Sequence, residues 1–255
     1  MMYHNSQYPY LYETHSHTKQ SSACAWDDGY DLAKAYHEAG YSGIFVTDHN
    51  WGGNTCTDHS LPWDRWVTEF TKGYLDAERY AKEHPDFDVF FGYEAGFRGT
   101  EFLIYGISPQ WLMEHPQIRE ASLEEHLRLV RAAGGMVIHA HPFREEWYIP
   151  EIRVFPELVD GVEGINATHS NHKSTGHNKK EYDDRAVAYA LAHDLPMTAG
   201  SDMHTTNLYG GGVAFRRRIR SAADFCQAIR EDEDRLLTNG DFLFDQFGNR
   251  IEETV

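Results

Sequence analysis

Residues 10–18 read Tyr-Leu-Tyr-Glu-Thr-His-Ser-His-Thr, a β-forming run that leads straight into two histidines two positions apart. The pattern predicts a strand over 10–14. Residues two apart on a strand point to one side, so His15 and His17 can grip one ion together. In a chain with 16 histidines such a pair arises readily by chance, and its meaning depends on what ends the other strands. A strand predicted over 43–47 (GIFVT) runs into Asp48 and His49, and one over 89–92 is followed by Glu94 in FGYEAG. The strand expected over 136–140 precedes His141 in MVIHAHP; that over 197–199 precedes Ser201-Asp202-Met203-His204, again an acid and a histidine two apart. Five strand ends thus carry carboxylate or imidazole. A mixed set of these donors without cysteine suits Zn, Mn or Fe(II).

Helical patterns separate the strands. One helix is expected over 28–39, capped by Asp27 or Asp28 and ended by Gly40, and another over 62–84. The capping box Ser122-Leu123-Glu124-Glu125 opens a third that stops at Gly134-Gly135. A fourth covers 181–193, and Ser221 starts a terminal one. Further strands are expected over 102–105 and 162–166. Strand-then-helix units imply a parallel sheet covered by helices. No GxGxxG or GxxxxGK[ST] loop follows any strand, which removes the usual signature of open nucleotide-binding sheets. Histidine and carboxylate follow the strands instead, as in barrels whose strand ends converge on one site. The expectation is an α/β barrel forming a single domain over 1–255, its motifs within about 10–205 and 206–255 completing it. There is no internal repeat and no linker.

Composition narrows the function. At 255 residues one barrel-sized domain is natural, and a formal net charge of −17 excludes a protein that grips long nucleic acid through many phosphates. With 6 Trp, 15 Tyr and 14 Phe the chain is not a disordered one. Three cysteines without a CxxC pair, no bilayer-length apolar run, and no basic or apolar leader in residues 1–10 give the expectation of a cytoplasmic protein without membrane contact. Oligomeric state is not encoded in any pattern.

Taken in order, HSHT, TDH, the Glu of GYEAG, AHP and GSDMH resemble the polymerase and histidinol phosphatase (PHP) family over about 10–205. The resemblance implies a distorted seven-stranded (β/α)7 TIM-like barrel, with two or three divalent ions (Zn, Mn or Fe) at the C-terminal ends of its strands. It also implies hydrolysis of a phosphate ester, in a small molecule or nucleotide. By position, His15, His17, Glu94 and Asp202 would hold the first ion. Glu94 would bridge to a second, also bound by His141, and His49 and His204 would belong to a third. The sequence departs from the fullest pattern twice. The loop after HSHT offers Ser22, Cys24, Asp27 and Asp28 but no histidine, and the strand ending LIYGIS lacks the histidine that some members give the second ion.

Coordination lowers the pKa of water, so no Ser or Cys nucleophile is required, and no GxSxG elbow exists. His204 or His49 is the candidate proton donor to the leaving alkoxide. Arg144 in AHPFR is the candidate grip on a phosphate oxygen, with Lys19 behind it. Blander readings fall to the rest. His139 is expected as a hydrogen-bonded interior histidine, and Asp48 as a group that orients a neighbouring histidine. Asn166 either touches substrate or satisfies backbone. The loop bearing His169, His172 and His177 reads as a solvated rim; His37, His84, His126 and His193 read as surface residues of helices. Cys24 and Cys56 receive no role, and Arg216-Arg217-Arg218 reads as a solvated charge run. The competing functions are an exonuclease-type phosphodiesterase on short oligonucleotides, a non-catalytic metal-binding PHP module, and amide hydrolysis on a related barrel.

Overall fold

In the computed structural model, which describes residues 3–251, strands β1 (Tyr10–Ser16), β2 (Gly43–Val46) and β3 (Asp88–Phe97) run parallel side by side. Helix α1 (Gly29–Glu38) links the first two; α2 (Trp63–Phe70) and α3 (Lys72–Glu83) precede the third. The expected helix over 62–84 is broken at Thr71, just before Gly73. A side chain at Gly73 would strike Thr18 and Asp48, so α3 packs by bare backbone against the loop after β1.

Strand β4 (Thr100–Tyr105) is antiparallel to both β3 and β5 (Met136–Ala140). This corrects the expectation of an all-parallel (β/α)7 sheet. Arg98 and Gly99 have φ of 54° and 84° and close a two-residue hairpin, far too short for the crossover a parallel strand needs. Helices α4 (Pro109–Glu114) and α5 (Leu123–Ala132) lead from β4 to β5. Parallel order resumes through β6 (Gly161–Asn166) and β7 (Met197–Gly200), separated by the short α6 (Ala167–Ser170) and by α7 (Glu181–Ala192).

The sheet curls until β7 approaches β1. Thr14 Oγ1 donates to the carbonyl of Ala199 at 2.8 Å, and Met203 exchanges backbone hydrogen bonds with His15 and His17. On its free edge β1 pairs antiparallel with β8 (Gly211–Phe215), which continues through β9 (Arg235–Asn239), β10 (Leu243–Asp245) and β11 (Arg250–Ile251). The result is a mixed α/β fold on one eleven-stranded sheet, curled as a half-barrel, with the order β11-β10-β9-β8-β1-β2-β3-β4-β5-β6-β7.

Both faces of the curled part are covered, which is why its strands read as continuous apolar runs. Tyr12, Phe45, Leu103, Tyr105 and Ile138 point inward, while Leu11, Ile44 and Val46 face α1 and α3. Helix α8 (Ala222–Arg230), capped by Ser221, packs Phe225 against Phe45, Tyr105 and Phe215, and Phe225 is fully buried. Such a ring contributes about 1.5–3 kcal/mol by burial alone. His126 is no surface residue. It lies on the inward side of α5 with its Nε2 3.0 Å from the Tyr93 hydroxyl, among Trp51 and Phe97. His37 and His84 are half-buried against Tyr80, and of the four helical histidines His193 alone is exposed. Arg216, Arg217 and Arg218 are each paired with carboxylates.

Candidate metal centre

The curl brings the ends of β1, β2, β5 and β7 to one mouth, beside the middle of the long β3. All seven residues nominated as ligands gather there. His15 Nε2 lies 3.3 Å from Glu94 Oε1 and 3.5 Å from Asp202 Oδ1, and His17 Nε2 lies 3.1 Å from Asp202 Oδ1. His141 Nε2 is 3.0 Å and His49 Nδ1 2.7 Å from the two oxygens of Glu94. His204 stands at the rim, 3.9 Å from Asp202, and its ring stacks on that of His17. His141 and Asp202 have positive φ, 27° and 52°. A non-glycine residue holds such backbone at a cost of about 1–3 kcal/mol, and here it turns two side chains inward at the site.

The donors fit divalent ions on an observation independent of spacing. His15 Nε2, His49 Nδ1 and Glu94 Oε2 are buried and make no well-formed hydrogen bond among the described residues, although the last two stand 2.7 Å apart. Such atoms normally cost free energy unless something satisfies them. The electrostatics also ask for positive charge. Burial opposes protonation of His15, yet Glu163, Asp202 and Glu94 hold its pKa well above the usual value; Glu94 does the same for His49 against its own burial. His17, buried and facing His49 and His204, falls well below. Burial would raise the carboxyls of Glu94 and Asp202, but His15 beside the first and Arg144 beside the second outweigh it and hold both well below the ordinary range.

Two buried relays set the imidazoles. Glu163 Oε1 lies 2.9 Å from His15 Nδ1, while its Oε2 accepts from the His141 amide and from Asn166 Nδ2, each at 3.0 Å. Asp48 Oδ1 accepts from the Ser22 hydroxyl at 2.7 Å, and that hydroxyl lies 3.3 Å from His17 Nδ1. With each Nδ1 engaged, Nε2 of both rings is turned to the carboxylates, the arrangement metal-binding histidines use. Asp48 therefore orients a histidine, as expected of it. Asn166 also caps α6 through the amide of Thr168, so of its two readings the structure gives the backbone one. Below them Glu13 accepts from the amides of His15 and Ser201 and from the hydroxyls of Ser201 and Tyr36, and burial pushes its carboxyl up to about 7.

Arg144 is buried, its Nη2 2.7 Å from Asp202 Oδ2 and its Nε donating to His169 Nε2 at 3.0 Å. His169 is thus corrected from a solvated rim residue to a buried link. The short α6 turns it inward, and its Nδ1 sits 2.8 Å from Asp183. His177 lines the mouth, held by Glu146, and His172 is exposed. Lys19 is half-exposed and paired with Asp28, apart from the cavity. His139 is interior, but its Nδ1 has no hydrogen bond and its ring stacks on Phe102. A cavity of about 670 Å³ opens onto Glu94, Asp202, His204 and Arg144, with Cys24 beside His49 and the exposed Trp147 at its entrance. Burial would raise the Cys24 thiol, but hydrogen bonds with His204 and His49 bring it down to about 7.

Sequence reasoning passed over Glu13, Glu101 and Glu163. The signal for Glu13 and Glu163 was an acid inside an otherwise apolar strand; for Glu101 it was the short gap between β3 and β4.

The PHP-associated family model matches residues 180–233, from the start of α7 into the turn after α8. No curated protein matches the sequence. Among solved structures, the chain is similar to a two-domain protein containing a predicted PHP-like metal-dependent phosphoesterase from Bacteroides vulgatus ATCC 8482. The TM-score is 0.64 at 13% identity, over 92% of this chain and 66% of that one. It thus spans just under two thirds of that protein's length. It is also similar to PsfC from Pseudomonas syringae PB-5123, with a TM-score of 0.55 at 15% identity over 85% of this chain and 87% of that one. At these identities the likeness is one of fold. A PHP-associated segment in the sequence and a PHP-like fold bear out the family resemblance carried by the ordered motifs.

Proposed function

We propose that the protein is a metal-dependent phosphoesterase that hydrolyses a phosphate ester of a small molecule or nucleotide at the mouth of its curled half-barrel sheet. The observation that carries the reading is the convergence of buried imidazoles and carboxylates on one point, with His15 Nε2 left without a hydrogen bond, beside a cavity reached by a buried arginine. His15, His17, Glu94 and Asp202 would hold one ion, Glu94 and His141 a second, and His49 and His204 a third, drawn from Zn, Mn or Fe. Such ions supply a water of lowered pKa and neutralise charge on the phosphoryl oxygens.

The chain's own residues do the rest. Arg144, fixed from both sides by Asp202 and His169, presents its remaining N–H groups to a non-bridging phosphate oxygen. Whichever of His204 and His49 is not committed to the third ion donates the proton to the leaving alkoxide, and His204 is the more exposed of the two. Metals and a single arginine bind a small phosphate locally, so the reading agrees with a chain of net charge −17.

Elemental analysis coupled to phosphate release with Mn, Zn and Fe tests the proposal. Glu94→Ala and Asp202→Ala should each lose bound metal and turnover, and full activity in either sinks it. Arg144→Ala should raise KM by roughly 10- to 100-fold, the equivalent of a charged hydrogen bond. Protein that holds metal yet hydrolyses nothing across a broad phosphate panel is a non-catalytic module. Cleavage of oligonucleotides without mononucleotides makes it an exonuclease.

A further inference from the structure

Along β4 side chains alternate. Phe102 and Ile104 face the outer helices, while Leu103 and Tyr105 face the interior. Glu101 belongs to the inward row. Because β4 runs antiparallel to its neighbours, its start, not its end, lies at the mouth, where Glu101 pairs in register with Ala140, one residue before His141. A carboxylate is thereby delivered into the cluster from a strand whose C-terminal end points away from it.

Its surroundings are those of a ligand and not of a surface acid. Glu101 Oε2 is 3.7 Å from His141 Nε2, and Oε1 is 4.0 Å from His49 Nδ1. Glu101, Glu94 and His49 each offer an atom within 4.8 Å of the others. These gaps exceed a hydrogen bond, and no hydrogen bond reaches the Glu101 carboxylate among the described residues. Ligands about 2.1 Å from one ion stand roughly 3–3.5 Å apart, close to the 3.0 Å from His141 to Glu94 and the 3.7 Å from His141 to Glu101. Beside Glu101, His49 Nδ1 and Glu94 Oε2, 2.7 Å from each other, are buried and make no well-formed hydrogen bond among the described residues.

We infer that Glu101 is a metal ligand, holding the second ion together with Glu94 and His141. Two carboxylates and one imidazole make that position harder than the first, which has two imidazoles, and so suited to Mn²⁺ over Zn²⁺. The inference rests on the metal-site reading above but not on catalysis.

The test is Mn²⁺ binding by the full chain, stripped with a chelator and reloaded, read by elemental stoichiometry and Mn²⁺ paramagnetic resonance without substrate. Glu101→Gln should bind one fewer Mn²⁺, or bind that equivalent roughly tenfold or more weakly. Glu101→His should restore the stoichiometry and shift competition towards Zn²⁺. Matching melting curves for the stripped proteins establish that both variants fold. Unchanged stoichiometry and affinity in folded Glu101→Gln overturns the assignment and leaves the phosphoesterase reading standing. The predicted loss in a protein that hydrolyses no phosphate ester leaves Glu101 standing and removes the activity.

Discussion

Glu163 is the residue on which the geometry of the centre turns, and its replacement separates orientation from charge. Its two oxygens serve donors on opposite sides: His15 Nδ1 on one, the His141 amide and Asn166 Nδ2 on the other. Burial would raise its carboxyl, but His15 and the hydrogen bonds around it hold it below the ordinary value, so the group is charged where it sits. Glutamine has the same shape with only one acceptor oxygen. Whichever way its amide turns, an N–H faces an N–H, either at His15 or at His141 and Asn166. An unsatisfied buried donor costs about 1–3 kcal/mol. Loss of the outer partner of a ligating histidine costs about 10- to 100-fold in metal affinity, which is about 1.4–2.7 kcal/mol. The second range is the one that bears on the metal, so Glu163→Gln should weaken Zn²⁺ or Mn²⁺ binding by one to two orders of magnitude in a chelator competition. The unsatisfied donor is present with or without metal, so the stripped protein should lose up to about 1–3 kcal/mol of stability, offset in part because the same substitution removes a buried charge. Affinity within about twofold of the parent would refute the idea that the Glu163–His15 bond sets the ligand.

A methyl group at Gly200 would meet His15 Cβ at 2.6 Å and Glu163 Oε1 at 2.9 Å. Gly200→Ala should therefore cost about 1–3 kcal/mol of stability and lower metal content together, and a parental Tm with full metal would be the contrary result. Burial lowers His126 from 6.5 to about 3. The unfolded chain takes up that proton below about pH 6.5 and the fold refuses it until about pH 3. Stability is therefore lost as pH falls through that window, by roughly 2 kcal/mol at pH 5. His126→Gln keeps a partner for Tyr93 without titrating, and denaturant curves at pH 7 and 5 should show a smaller acid loss than in the parent; equal losses would overturn the account.

Much of the fold was legible because the relevant strands are buried on both faces and end in residues that cannot be core. GIFVT and MVIHA have no polar face to confuse a periodicity, and Ser122 and Ser221 cap α5 and α8 through the expected amides. The hairpin of β3 and β4 was obscured because Arg98-Gly99 is not one of the dipeptides that announce a two-residue turn. The extension of β3 through Ala95, Gly96 and Phe97 also has little strand character. Strand β8 opens with Gly211, which reads as loop. The structure needs glycine there because a Cβ would lie 2.5 Å from the Gly200 carbonyl. Close backbone approach and strand composition ask for opposite residues, and at that point approach decides.

The same logic separates the site residues that spacing located from those it did not. A parallel strand delivers its last residues to the mouth, so looking past each apolar run finds His17, His49, His141, Asp202 and His204. An antiparallel strand delivers its first residue, which places Glu101 where that search does not look. Glu13 and Glu163 lie inside their strands and act through what they hold. Sequence alone also ranks histidines poorly, because a histidine is defined by what each ring nitrogen meets. Nδ1 of His15 and of His17 lies against an oxygen, and Nε2 faces carboxylates. His139 occurs in the same motif as His141, yet its Nδ1 is unpaired and its ring lies on Phe102; desolvation lowers it to about 3. A ring kept neutral by burial, with no anchor to fix its tautomer and an aromatic face as its neighbour, packs as an apolar side chain. His139 therefore belongs to the core, and the single residue Ala140 that parts it from His141 marks the depth at which the site ends.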